Sequence, residues 1–205
     1  ARALVKNEIS SFPLLLIDFG ATRTSIIIFS GYSLRFTASI PISSQKFTEA
    51  ISKSLRVNLE EAEKLKLKYG IDKTKRIELK MKTDDGRFEK TIVESEKIFE
   101  AVIPLLSDLV EQIKRYLDYY QTHSHHDHIP SNKKGIEKIF LSGGGANLKG
   151  LSDFLSLELK VPVELGNPWV NILTEPINEI PELSFEESLR YTTALGLALR
   201  GIKNS

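Results

Sequence analysis

The chain has 205 residues, 41% of them apolar and 27% charged, with a formal net charge of +1 and no cysteine. That is enough apolar material for one large domain, or a domain carrying a sizeable insertion. The charge balance argues against a dedicated nucleic-acid binder, and the missing cysteines exclude disulfides and thiolate metal sites.

Residues 1–13 read as a short lead-in helix ended by Pro13. Leu14 to Phe19 is almost wholly apolar, as in a strand buried on both faces. Thr24 to Ser30 is β-branched and aromatic, a second strand. Leu34 to Ile40 alternates apolar and polar residues, which predicts a third strand with one wet face. Ser43 or Ser44 caps a helix whose Phe47, Ala50, Ile51 and Leu55 fall at helical spacing. Asn58 with Glu61 resembles a capping box and opens a second helix, closed by Gly70. Residues 71–95 are charged and turn-rich, and Thr83–Gly86 is either a hairpin turn or an exposed loop. Glu96 to Tyr120 is the longest helical pattern. Pro104 inside it predicts a kink or break near Val102–Ile103. After a polar loop come a strand ("IEKIFLS"), a glycine-rich turn, a helix ("LSDFLSLEL") and a short strand ("VPVELG"). Phe185 to Ile202 forms the last helix, capped by Ser184, with Tyr191, Ala194, Leu195, Ala198, Leu199 and Ile202 on one face.

Two stretches carry candidate chemistry. Ser142–Gly150, "SGGGANLKG", holds four of the chain's 12 glycines. It is not a P-loop, because no glycine is followed by Lys-Ser or Lys-Thr. It is not a dinucleotide fingerprint either, because Leu148 stands where the third glycine belongs. Successive glycines at a strand end leave room for a flat ligand on the peptide planes; a plain strand-to-helix turn explains them equally well. In "LLIDFGATRTSI", Asp18 ends a strand and Gly20, Ala21 and Thr22 make a tight turn. A carboxylate there suits Mg²⁺ with retained waters, and hairpin amides suit phosphate oxygens. An ordinary hairpin shaped by Asp18 is the alternative.

Taken together, and in this element order, the two motifs resemble one lobe of the actin-like, sugar-kinase-like ATPase fold. With "NLEEAEKLKLKYG", "VPVELGNP" and "YTTALGLALRG", the pattern resembles PilM, the actin-like assembly family of type IV pilus systems and a relative of the cell-division protein FtsA. The resemblance runs over essentially the whole chain. It implies an α/β, ribonuclease H-like lobe in the order β-β-β-α, insertion, β-α-β-α, with a mixed sheet and helices on both faces. Residues 14–56 and 136–205 would form its core and 57–135 an inserted, mainly helical subdomain. It implies ATP and Mg²⁺ as ligands. Asp18 would lie near the metal's water shell, and Gly20, Ala21, Thr22 and Arg23 at the terminal phosphates. Gly143, Gly144, Gly145 and Ala146 would hold adenosine, and Glu63 and Lys64 would cover the base and ribose. Arg23 and Lys149 depart from the family, which usually has a small hydroxyl residue and a proline there. The other lobe, with its own phosphate loop, would precede Ala1. The chain begins at Ala1 and its one methionine is Met81, which fits a part of a longer protein. The implied partners are the cytoplasmic tail of a PilN-like membrane protein, met mainly by the other lobe, further pilus assembly proteins, and other copies of itself. The implied place is the cytoplasm, at the inner membrane through partners. Rival readings are an FtsA-like division protein and a sugar-type metabolic kinase. The first would add a C-terminal amphipathic helix, and the second an Asp base that this chain does not visibly supply.

Other features read as surface. His123, His125, His126 and His128 share one polar loop with nothing obvious to orient the rings for a metal. A ribonuclease-like two-metal site needs converging carboxylates, and the strand before the glycine turn ends in Leu141-Ser142. No apolar run reaches the roughly 18 residues of a spanning helix, and the N-terminus has no signal-peptide pattern.

Overall fold

The computed structural model describes residues 1–72, 76–82, 88–123, 135–173 and 182–203. Strands β1 (Ser10–Phe19), β2 (Thr24–Gly31) and β3 (Ser33–Ile40) form an antiparallel meander. Helices α1 (Ser44–Leu55) and α2 (Leu59–Tyr69) follow, then a hairpin of β4 (Arg76–Lys82) and β5 (Phe88–Glu94), and the long helix α3 (Glu96–His123). The chain returns as β6 (Lys138–Ser142), α4 (Leu151–Leu159), β7 (Val163–Leu165), α5 (Phe185–Ser188) and α6 (Thr192–Lys203). The main sheet has the order β3-β2-β1-β6-β7, with β6 parallel to β1 and to β7.

Local chemistry sets the helix starts. The Ser43 hydroxyl accepts from the Lys46 amide, Asn58 Oδ1 from the Glu61 amide and the Ser184 hydroxyl from the Glu187 amide, so each cap satisfies an otherwise orphaned donor. Gly70 ends α2 at φ +62° and packs so tightly on Lys149 that a Cβ would lie 2.4 Å from its carbonyl oxygen.

The β1 side chains alternate between two environments. Leu15, Ile17 and Phe19 face a core built with Ile26, Ile28, Ile40, Ile139 and Leu141, closed by α1, α3 and α4. Leu14 and Leu16 face the opposite side with Phe29, covered by Leu4 and Val5. Helix α6 borders this second side, leaving a groove of about 700 Å³ lined by residues that include Leu16, Asp18, Phe29, Thr193 and Leu197. The mixed sheet with helices on both faces is as expected.

Several expectations need correction. Residues 1–13 are not a helix. They hold one 3-10 turn at Lys6–Glu8, where Asn7 and Glu8 take positive φ, and β1 begins at Ser10. Positive φ cannot continue an α-helix. The side-chain amide of Asn171 instead ties this segment down, donating to the Arg2 and Val5 carbonyls and accepting from the Asn7 amide. A register shift between Ser10 and Leu14 accommodates Pro13, which has no donor for the ladder. Residues 57–135 hold, besides α2 and α3, the β4–β5 hairpin, which the charged composition of the stretch 71–95 does not predict. The buried stripe of α3, from Ile98 through Leu109 to Tyr120, belongs to the core of the main sheet. Nor does α3 break at Pro104. Pro104 lies on the exposed side, where water can reach the carbonyl that loses its partner, while the stripe holds both halves to the core. Finally, the apolar side expected on the last helix is largely open, with Tyr191 and Ile202 exposed. Thr83–Gly86 lies outside the described residues.

Candidate functional site

The two sequence motifs meet at the carboxyl ends of β1 and β6. Asp18 stands opposite Ser142 in the parallel ladder. From here the chain after β1 turns back as a hairpin, while the chain after β6 crosses through α4 to β7. In open α/β sheets, ligands occupy such a crevice, where connections diverge beyond the carboxyl ends of the strands.

Asp18 points to the groove side of the sheet, as its alternation with Ile17 and Phe19 requires. Its Oδ2 accepts a hydrogen bond from the Thr193 hydroxyl at 3.1 Å. Its Oδ1 lies against Gly143, where a Cβ would come within 2.4 Å of it. Gly143 also sits at φ +86°, a conformation that glycine adopts without strain. Gly145 is needed for a different reason: a Cβ there would lie 2.5 Å from the Phe19 ring, which is itself packed edge-on against Phe47. Gly144 is different again. It is exposed, and its missing Cβ would meet only Arg190 Cβ, at 3.8 Å. The loop is held from behind, since the Gly143 amide donates to the Leu189 carbonyl and Asn147 Nδ2 to the Glu186 carbonyl. The idea of three open peptide planes thus narrows to the one at Gly144, with Gly143, Gly145 and Ala146 buried around it.

The β1–β2 turn is fixed through its carbonyls. The Gly20 amide donates to Arg23 O, and the first amides of α1, Ser44 and Gln45, donate to Gly20 O and Ala21 O. Ala21, Thr22 and Arg23 are exposed, and no described residue accepts from their amides. Amides without a protein acceptor on a tied turn are available to an anion, and Arg23 adds a positive charge.

On α2 the expected pair, Glu63 and Lys64, has two different settings. Lys64 is exposed and bonds Glu60 at 2.6 Å, a hydrogen bond that raises the Lys64 pKa and lowers that of Glu60. Lys66, by contrast, is buried: its side chain is only 4% exposed, and Nζ donates to Ser44 O, Ser44 Oγ, Thr48 Oγ1 and Glu63 Oε2. Glu63 also accepts from the Thr48 hydroxyl. Lys66 therefore ties α2 to the same first turn of α1 that holds the Gly20 turn. Its spacing was the available signal, since Ala62, Leu65, Lys66 and Tyr69 fall on one helical side. Thr193, 175 positions from Asp18, carried no comparable signal.

His123 ends α3, stacked on Tyr119, and the rest of the histidine tract lies outside the described residues. Among the described residues no three His, Cys, Asp or Glu side chains gather for a metal. Among the described residues the groove is lined by two carboxylates, Asp18 and Glu8. A larger depression of about 960 Å³, lined by residues including Tyr69, Phe99, Lys149 and Phe154, contains none of the candidate site residues.

Residues 15–196 match the sequence profile of cell division protein FtsA. The chain belongs to the FtsA family. It is 25% identical over 209 residues to FtsA of Pseudomonas aeruginosa, covering 99% of this chain and 45% of that protein. The chain spans less than half the length of the curated FtsA relatives it matches. In three dimensions it aligns with a chain of the PilM–PilN type IV pilus biogenesis complex, at TM-score 0.70 and 27% identity, over 96% of this chain and 48% of that one. It also aligns with MreB5 of Spiroplasma citri bound to AMPPNP, at TM-score 0.69 and 16% identity, over 98% and 56%. The fold is that of the actin-like ATPases, and the chain is an FtsA-like domain of that class. Among the described residues no helix is long and apolar enough to cross a membrane.

Proposed function

We propose that this domain supplies one side of an ATP–Mg²⁺ site in a PilM-like scaffold protein of type IV pilus assembly. The observation that carries the reading is the meeting of Asp18, the Gly20–Arg23 turn and the Gly143–Ala146 loop at the ends of two adjacent parallel strands. The donors fit the ligands. A carboxylate at the edge of an open groove suits a hard cation that keeps most of its waters. Exposed amides on a braced turn suit phosphate oxygens, and the open plane at Gly144 suits a flat base. When bound, Mg²⁺ would neutralise phosphate charge. Asp18 would orient its water shell. Gly20, Ala21, Thr22 and Arg23 would hold the terminal phosphates, Gly144 and its neighbours would face adenosine, and Glu63 would reach toward the ribose from α2. A second lobe would complete the site, and nucleotide would favour the closed arrangement by binding it more tightly than the open one.

The pilus assignment is supported by the 27% identity to a chain of the PilM–PilN complex over nearly the whole length. It implies a PilN-like cytoplasmic tail as partner and a place at the inner membrane through that partner. The FtsA-family match favours a second reading, an FtsA-like division protein with the same nucleotide site. Calorimetry on the protein at its full natural length tests the shared part: ATP should bind more tightly with Mg²⁺ than with EDTA, and absence of ATP binding overturns it. Titration with the cytoplasmic tail of a PilN-type protein tests the rest, where saturable binding supports the pilus reading and none leaves the division reading.

A further inference from the structure

The carboxylate of Asp18 is not free to rotate. One oxygen is held by the Thr193 hydroxyl at 3.1 Å, and the other is pressed against Gly143, where even a methyl group would not fit. Thr193 stands in the first turn of α6, at the end of a helical run through Phe185–Ser188 and Leu189–Tyr191. That run is tied to the β6 loop twice, through Leu189 O to the Gly143 amide and through Glu186 O to Asn147 Nδ2. Thr193 provides a third tie, to β1 rather than β6. Beyond it, Leu197 and Ile202 are exposed. The first turn of α6 is thus tied to the Asp18 carboxylate, while Gly196 further along lies beside Ala3.

We propose that Thr193 is a positioning residue that sets the Asp18 carboxylate for Mg²⁺ and couples the C-terminal helix to metal occupancy. This rests on the nucleotide reading above. A hydroxyl donating to Oδ2 uses one acceptor site of the carboxylate and leaves the remaining ones for water molecules of a hydrated cation. It fixes the side chain in one orientation before the cation arrives, which removes part of the ordering cost of binding. Movement of α6 away from the sheet would release Asp18 and weaken the metal; metal binding, by reciprocity, favours α6 in its docked place.

The test uses the protein at its full natural length, with ATP affinity measured by calorimetry across a Mg²⁺ series and in EDTA. Thr193→Val keeps the shape and removes the donor. It should raise the Mg²⁺ concentration for half-maximal ATP affinity about fivefold, the order expected for one charge-assisted hydrogen bond at a partly exposed site. Affinity in EDTA should not change, and Thr193→Ser should retain wild-type Mg²⁺ dependence. In an Asp18→Asn background, Thr193→Val should add nothing. Wild-type Mg²⁺ dependence in Thr193→Val, or equal loss with and without Mg²⁺, overturns the assignment while leaving the nucleotide reading intact. Failure of the wild-type protein to bind ATP at all overturns the nucleotide reading, and this inference with it. Should Thr193→Val not fold, Thr193→Ala against Thr193→Ser makes the same comparison. Amide hydrogen exchange in α6 gives an independent readout: Mg²⁺ with ATP should slow it in the wild type and not in the valine variant.

Discussion

The two loops at the mouth of the crevice are built in opposite ways. The glycine loop, residues 143–146, is committed to the fold: Gly143 against Asp18 and the Phe19 carbonyl, Gly145 against the Phe19 ring, the Gly143 amide on Leu189. The β1–β2 turn is committed only through its carbonyls, which α1 holds from behind, while its residues 21–23 stay exposed. The contrast reverses the impression left by composition. Three adjacent glycines suggest an open cradle, yet two of them are there because β1 passes too close for any side chain. The plainer Gly-Ala-Thr-Arg turn is where polar groups remain available to a ligand.

Substitution at the packed glycines should therefore have the largest effect. Gly145→Ala would place a methyl group 2.5 Å from the Phe19 ring and 2.7 Å from its carbonyl oxygen. We expect a loss of about 3 kcal/mol, the upper end of ordinary overpacking costs, read from urea denaturation. Gly143→Ala adds a positive φ to a similar clash and should cost at least as much. Wild-type stability in either variant would break the view that this loop is shaped by packing.

The next effect contrasts the two lysines of α2. Lys66→Met removes a buried donor shared by Ser44, Thr48 and Glu63. It should cost about 2 kcal/mol, less than for a fully enclosed pair because Glu63 is partly exposed. Lys64→Met, which cuts only a solvent-exposed pair with Glu60, should leave the melting curve unchanged. Equal effects would mean that the α1–α2 brace behind the Gly20 turn is not a distinct structural element.

These pairs also show where the sequence could be read and where it could not. Caps are local events, so Ser43, Asn58 and Ser184 were legible, and with them the starts of α1, α2 and α5. The β1 and β2 cores were legible from unbroken apolar and β-branched runs, whereas the meeting of Asp18 with the glycine loop followed only from the family resemblance, since no local pattern says that β6 pairs with β1. The N-terminal segment was not, because its conformation is set by Asn171, 164 residues from Asn7. The β4–β5 hairpin was obscured by charge, although Ile77, Leu79 and Met81 alternate at strand spacing. Lys64 and Lys66 are the same residue type, and only the helical spacing of Lys66 with Ala62, Leu65 and Tyr69 marks it as the inward one. Thr193 reached Asp18 through the path of the last helix, which no local pattern fixes.

Within the glycine loop the smallest expected change in stability falls at Gly144, and it separates the loop's two roles. A methyl group there meets nothing nearer than 3.8 Å, and no positive φ opposes it. Gly144→Ala should therefore stay within about 0.5 kcal/mol of wild type, as exposed substitutions without a packing consequence do. A ligand lying on that peptide plane would notice the same methyl group, because a base stacked on backbone sits at van der Waals distance. ATP affinity of the full-length protein should fall about tenfold, with Mg²⁺ dependence unchanged because Asp18 and Thr193 are untouched. Unaltered affinity in a stable Gly144→Ala protein would leave the whole glycine loop explained by packing, and adenosine would have to be held elsewhere. Lower affinity at unchanged stability would identify Gly144 as the one glycine of the three kept for the ligand rather than for the fold.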